Sequence, residues 1–180
     1  DYDPKTYEVI PELATKWSAS ADSRTYTFEM RKDVFWSDGV PVTAHDIEYA
    51  IRRNINPETA SPYAYVLYIL EGAEAINKGE SKDFNNLGVR AVDDYTVEFR
   101  LTQPAGFFPA MAGLWTYRPL PRRSIEAFGT AWTEPEHILT NGSYRLATWE
   151  KGNQLILKRN PDYKDSVTQK PAQIEEVNYY

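Results

Sequence analysis

The sequence predicts an α+β fold of antiparallel sheets with flanking helices, and three observations carry that prediction. Apolar and polar residues alternate with a period of two in three separate stretches, turn-forming residues close two hairpins, and the segments between them have helical spacing. A chain of 180 residues can hold one full core, or one domain and part of a second.

The first alternation sets Tyr26, Phe28 and Met30 against Thr27, Glu29 and Arg31, which reads as a strand with one apolar and one wet face. The next element is the best-marked helix. Thr43 and Asp46 have the spacing of a capping box, Pro41 stands just upstream, and residues 44–53 follow as a helix. Ala44, Ile47, Ala50 and Ile51 form its apolar stripe, and Glu48 and Arg52 form an i,i+4 pair on the opposite, wet side. Weaker helical spacing covers 71–78, 107–112 and Arg122–Phe128. The second alternation sets Tyr95, Val97, Phe99 and Leu101 against Thr96, Glu98 and Arg100; Asp93-Asp94 turns a preceding strand at 89–92 into it. In the third, Tyr144 and Leu146 oppose Arg145 and Ala147, and Lys151-Gly152-Asn153 leads to a strand at 155–158. Residues 174–180 alternate as a strand with no closing turn, and the chain opens on Asp1-Tyr2-Asp3-Pro4 without the pattern of a signal peptide, so a piece of a longer protein is expected. Pro119 and Pro121 bracket Leu120 and fix the backbone where a domain boundary is expected.

Composition excludes several classes of function. With a formal net charge of −6 and no basic cluster longer than Arg52-Arg53 or Arg122-Arg123, a nucleic-acid backbone or an anionic membrane surface is not a fitting partner. No apolar run is long enough to insert in a membrane, and the absence of cysteine removes thiolate chemistry and disulfides. Only His45 and His137 titrate near neutrality, and neither falls in a pattern with a nucleophile or metal ligands; both read as surface residues. A metal site on His45 and Asp46 fails because adjacent helical residues point apart. Asp38 could serve glycosidic chemistry with a second carboxylate, but Ser37-Asp38-Gly39 reads more simply as a turn. Asn141-Gly142-Ser143 fits a glycosylation sequon and, equally, a turn before a strand. This reading carries no catalytic residue, no metal and no cofactor: the chain is not an enzyme.

The stretch FWSDGVPVTAHDIEYAIRR from Phe35 resembles the signature region of the extracytoplasmic solute-binding proteins of ABC importers, in their oligopeptide/dipeptide-binding class, family 5. Further blocks follow in that family's order: ELATKWSAS from Glu12, NPETASPYAYVL from Asn56, LGVRAVDDYTVEFRLTQPAGFF from Leu87, FGTAWTEPEHILTNGSYRLATW from Phe128 and LILKRNPDY from Leu155. The resemblance implies a fragment of a class II, peptide-type periplasmic-binding-protein-like receptor, in which residues 1–121 are most of an additional lobe and 122–180 part of the first ligand-binding lobe. It implies oligopeptide binding outside the cytoplasmic membrane, in the periplasm or at the outer face of the cytoplasmic membrane under a lipid anchor, with peptide ligand and importer permease subunits as partners. A dipeptide, an oligosaccharide or a nickel complex are the alternatives within the family, and a carbohydrate-active enzyme the alternative outside it. Tyr63, in Ser61-Pro62-Tyr63-Ala64, matches a tyrosine that contacts ligand in oligopeptide binders. The chain departs from the family at Ser23, where glycine is common, at Lys164, where tryptophan is usual, and at Leu114-Trp115, where some members carry a histidine near the peptide.

Overall fold

A computed structural model describes residues 1–3, 5–165 and 170–180. It divides into two compact units, one of Asp1–Arg31 with Thr43–Leu120 and one of Lys32–Val42 with Pro121–Tyr180. The division after Leu120 falls inside the Pro119-Leu120-Pro121 run. The loop Lys32–Val42, kept with residues 1–121 in the sequence reading, packs in the second unit.

In the first unit, strands β1 (Ala14–Ala19), β2 (Thr25–Met30), β3 (Val89–Asp93) and β4 (Thr96–Arg100) form an antiparallel sheet in the order β1-β2-β4-β3. Phe28 lies opposite both Trp17 and Val97, and Tyr26 opposite Phe99, so these rings share one face. Tyr26, Phe28, Met30, Val97 and Phe99 are buried on it, as the alternation requires. β1 carries no clear alternation in Ala-Thr-Lys-Trp-Ser-Ala and is held at the edge by pairing with β2, which is why spacing alone misses it. A bulge between Ala91 and Asp93 turns Val92 outward.

Helix α1 (Ala44–Ile55) runs two residues past its expected end and buries Ala44, Ile47, Ala50, Ile51 and Ile55. Its start has the arrangement of a capping box, and the Asp46 carboxylate dominates it. The Thr43 amide donates to Asp46 Oδ2 at 2.8 Å, while the Thr43 hydroxyl lies 3.4 Å from the same oxygen. Glu48 is less wet than the pattern suggests. It accepts from Arg52 Nε at 2.8 Å and from the Ala91 amide of edge strand β3 at 2.8 Å, so the pair also ties the helix to the sheet. Two short helices, α2 (Ala73–Asn77) and α3 (Phe108–Met111), are trimmed versions of the 71–78 and 107–112 readings. Phe108, fully buried, meets the rings of Tyr26, Phe28, Phe99 and Tyr117 at centroid distances of 5.2 to 6.3 Å and forms the centre of the core.

In the second unit, the loop Lys32–Val42 turns at Gly39, whose φ of 85° suits glycine, and buries Trp36. Asp38 sits in that turn and pairs with Arg123 of helix α4 (Arg122–Phe128), Arg123 Nε donating to Asp38 Oδ2 at 2.7 Å. Strands β5 (Tyr144–Glu150), β6 (Gln154–Arg159) and β7 (Glu176–Tyr179) form an antiparallel sheet in that order. A bulge between Leu146 and Thr148 shifts the register by one, so Trp149 pairs with Leu155 and joins Tyr144, Leu146, Leu157, Val177 and Tyr179 on one apolar face. At one end of this sheet the buried Asn160 side chain donates to the Gly142 carbonyl and accepts from Arg145 Nε, both at 2.9 Å. That arrangement satisfies a buried amide and explains its place in Arg-Asn-Pro-Asp. Among the described residues no helix is long and apolar enough to cross a membrane.

Candidate functional site

The residues proposed for chemistry by type alone do not assemble into a reactive centre. His45 is exposed, 3.4 Å from the equally exposed Asp94 carboxylate. His137 stacks on Phe128, ring centroids 3.7 Å apart and planes at 8°, and its carbonyl accepts from Ser124 Oγ at 2.6 Å. Asp38 is committed to Arg123 and to the Val40 amide. Partial burial alone would raise its pKa, but the hydrogen bonds from Arg123 and Val40 outweigh that and hold the carboxyl below its ordinary range. No group of three or more His, Cys, Asp or Glu side chains that could hold a metal ion occurs among the described residues.

What does assemble is an exposed group of aromatic rings on the first unit. Tyr63 directly precedes a 3₁₀ turn, Ala64–Leu67, that is anchored by burial of Ala64 and Leu67. The chain reaches it through a second short turn, Pro57–Thr59, capped by Asn56 Oδ1 accepting from the Glu58 amide, and through Ala60 in the left-handed region. With the inward positions filled by small and aliphatic side chains, Tyr63 and Tyr65 project into solvent, 45% and 61% exposed. Trp115 begins another 3₁₀ turn, Trp115–Tyr117, whose other two residues are buried. Tyr117 packs on Phe99 and Phe108, and Trp115 is thereby held outward, 65% exposed.

The two turns, some fifty residues apart in sequence, bring their rings together. Tyr63 and Trp115 meet at 5.5 Å with planes at 89°, edge to face, and Tyr63 and Tyr65 lie 6.3 Å apart at 36°. Edge-to-face contact within this distance is a favourable geometry for aromatic rings and fixes their orientation. Three large rings clustered in solvent form a surface fit to take a partner. Such a surface offers flat apolar area, two hydroxyls and an indole N–H, and it carries no nucleophile or base.

Tyr63, the residue the sequence reading proposes as a ligand contact, lies in this cluster; Tyr65 and Trp115 were not singled out for that role. The available signal was local for Tyr65, two residues along in Tyr63-Ala64-Tyr65. For Trp115 the only signal was the resemblance, which sets Leu114-Trp115 where some family members carry a histidine near the peptide; spacing offered none, because its partner is distant in sequence.

Residues 8–180 match the profile of the bacterial extracellular solute-binding proteins, family 5, middle region. The chain is 38% identical over 181 residues to the periplasmic oligopeptide-binding protein OppA of Escherichia coli K12, covering 94% of this chain and 33% of that protein. It is similar in structure to a periplasmic oligopeptide-binding protein of Borrelia burgdorferi, with a TM-score of 0.90 and 30% identity over 100% of this chain and 35% of the other. It is similar also to Haemophilus influenzae OppA in complex with RPPGFSPFR, with a TM-score of 0.84 and 37% identity over 90% of this chain and 32% of the other. The chain therefore spans about a third of the length of the relatives it matches.

Proposed function

Since the chain belongs to family 5 of the bacterial extracellular solute-binding proteins, we propose that the protein it represents binds oligopeptides outside the cytoplasmic membrane and delivers them to the permease subunits of an ABC importer. The observation that carries this reading to particular residues is the exposed Tyr63–Trp115 pair. A peptide enclosed by such a receptor is held through its main chain, much as an added strand, with side chains in roomy pockets. Flat rings with polar tips suit that task, since they cover the backbone of many different sequences without demanding one. Tyr63 accordingly contributes to the peptide-facing wall. The fold supplies rigidity: Ala64, Leu67, Thr116 and Tyr117 are buried beneath the rings and fix the turns that present them.

In this reading residues 1–121 are most of the additional lobe and 122–180 part of the first ligand-binding lobe. The separation of compact units after Leu120 supports a change of lobe there, and the packing of Lys32–Val42 with the second unit adds that loop to the ligand-binding lobe. The family is one of solute-binding proteins, so retention of an unchanged ligand is expected in place of turnover. Native mass spectrometry of the full-length protein, purified without denaturation, tests the reading. Peptides of mixed sequence at one per protein molecule are expected; a bound dipeptide only, a sugar or a metal complex would overturn the oligopeptide assignment.

A further inference from the structure

We infer that an apolar cavity within the first unit, between the N-terminal segment and the sheet, binds a compact uncharged molecule the size of a short-chain ketone or alcohol, whose single hydrogen-bond acceptor is held by the Tyr117 hydroxyl. The cavity has a volume of about 80 Å³. Val9 and Leu13 of the N-terminal segment, Trp17, Phe28 and Phe99 of the sheet, and Tyr117 of the Trp115–Tyr117 turn are among its walls. All of these residues belong to the first unit, and binding there requires no bound peptide.

The walls select the chemistry of the ligand. Tyr117 is only 4% exposed, and its hydroxyl has no hydrogen-bond partner among the described residues. Burial raises the pKa of that hydroxyl, so it keeps its proton and acts as a donor. A buried donor without an acceptor is unfavourable, and a ligand that brings the acceptor removes the deficit. Apart from Tyr117 and the charged Asp1, Glu12 and Arg118, the wall residues are apolar. A buried water needs two to four polar partners, whereas an apolar cavity stays dry and accepts an apolar molecule, so the body of the ligand is hydrocarbon. Charge is disfavoured, because one neutral hydroxyl does not offset the desolvation of an ion. Arg118 offers no free cation to an anionic ligand: its Nη2 lies 3.1 Å from Asp1 Oδ2 and its Nη1 3.8 Å from Glu12 Oε2. Size follows from volume. A cavity of roughly 150 Å³ takes benzene, so one of about 80 Å³ takes about three or four non-hydrogen atoms.

The test titrates acetone, and separately isobutene, which has the shape of acetone without its oxygen, into the full-length protein as wild type and Tyr117→Phe. Nuclear magnetic resonance follows the Trp17 indole and the Met30 methyl group, both in the cavity wall. In the wild type both signals should shift and saturate with acetone, with a midpoint on the order of millimolar, as suits so small a ligand. Tyr117→Phe should weaken acetone binding about three- to tenfold and leave isobutene binding unchanged, since only acetone has an oxygen for the hydroxyl to hold. The absence of a saturable shift at Trp17 and Met30 in the wild type overturns the inference and means that the cavity is filled in the full-length protein. Equal affinity of acetone for the two proteins overturns it as well. If Tyr117→Phe does not fold, nuclear Overhauser contacts in the wild type decide: contacts from the acetone methyl groups to the Tyr117 ring support the site, and contacts elsewhere only, or none, overturn it.

Discussion

The two sheets of this chain obey one patterning rule and reach different degrees of burial. In β1-β2-β4-β3 the apolar face is covered: Phe108 and Tyr117 pack on it ring against ring, and Tyr26, Phe28, Met30, Val97 and Phe99 are all buried. In β5-β6-β7 the apolar face is just as well formed, with Leu146 opposite Leu157, Trp149 opposite Leu155 and Val177 opposite Leu157, yet no residue of the three strands is fully buried. A period of two determines which side chains share a face, and it says nothing of what lies over them. The hydrophobic stabilisation of a strand depends on that cover, since it scales with the area removed from water.

The largest expected effect probes this contrast directly. In the 180-residue chain, Phe108→Ala should cost about 3–5 kcal/mol, the range for emptying a buried aromatic site. Leu157→Ala, on the partly exposed face of β6, should cost less, about 1–2 kcal/mol, because part of its surface stays wet in the folded state. Chemical unfolding followed by fluorescence gives both values. Equal costs would mean that the second sheet is covered as well as the first.

A smaller effect locates the cap of α1 in the better-packed unit. Asp46→Ala should cost about 1 kcal/mol and Thr43→Ala only a few tenths, because the carboxylate, not the hydroxyl, makes the 2.8 Å bond to the free amide. The reverse order of unfolding midpoints would return the cap to the threonine. Even the well-packed unit has a defect, since the buried Tyr117 hydroxyl has no hydrogen-bond partner among the described residues and burial pushes its pKa well up. Tyr117→Phe should therefore leave stability unchanged or raise it by up to about 1 kcal/mol. A loss of that size in thermal unfolding would reveal a partner for the hydroxyl.

The smallest effect belongs to the second unit and depends on pH. Asp38 has a depressed pKa in the folded protein, so its pairing with Arg123 contributes fully above the unfolded carboxylate pKa and is lost as pH falls through the lower, folded value. Wild type and Asp38→Asn should differ in stability at neutral pH and converge in acid. A difference that stays constant down to the lowest pH at which the chain folds would show that the charge of Asp38 is not what matters.

Much of this architecture was legible from residue spacing. The alternations at Tyr26–Met30 and Tyr95–Leu101, the hairpin at Lys151-Gly152-Asn153 and the stripe on α1 are local patterns, and local patterns survive folding. The features that escaped depend on contacts distant in sequence. β1 is a strand because β2 offers it a partner, and Trp149 faces the apolar side because a bulge one residue wide reverses the count after Leu146. Glu48 serves the edge of β3, forty-three positions on, as well as its helical neighbour. The candidate site divides in the same way. Tyr63 was proposed through its resemblance to a family position, whereas its contact with Trp115 emerges only once the two 3₁₀ turns come together.

The most direct test of the account is a calorimetric titration of one tightly bound peptide into the full-length protein as wild type, Tyr63→Ala and Tyr63→Phe, with thermal stability without ligand matched beforehand. If the ring cluster is part of the peptide-facing wall, Tyr63→Ala should weaken binding by about 1–2 kcal/mol, roughly ten- to thirtyfold, and Tyr63→Phe should keep the part contributed by the ring. Wild-type affinity in a folded Tyr63→Ala protein would contradict the account and return the cluster to an ordinary feature of the surface.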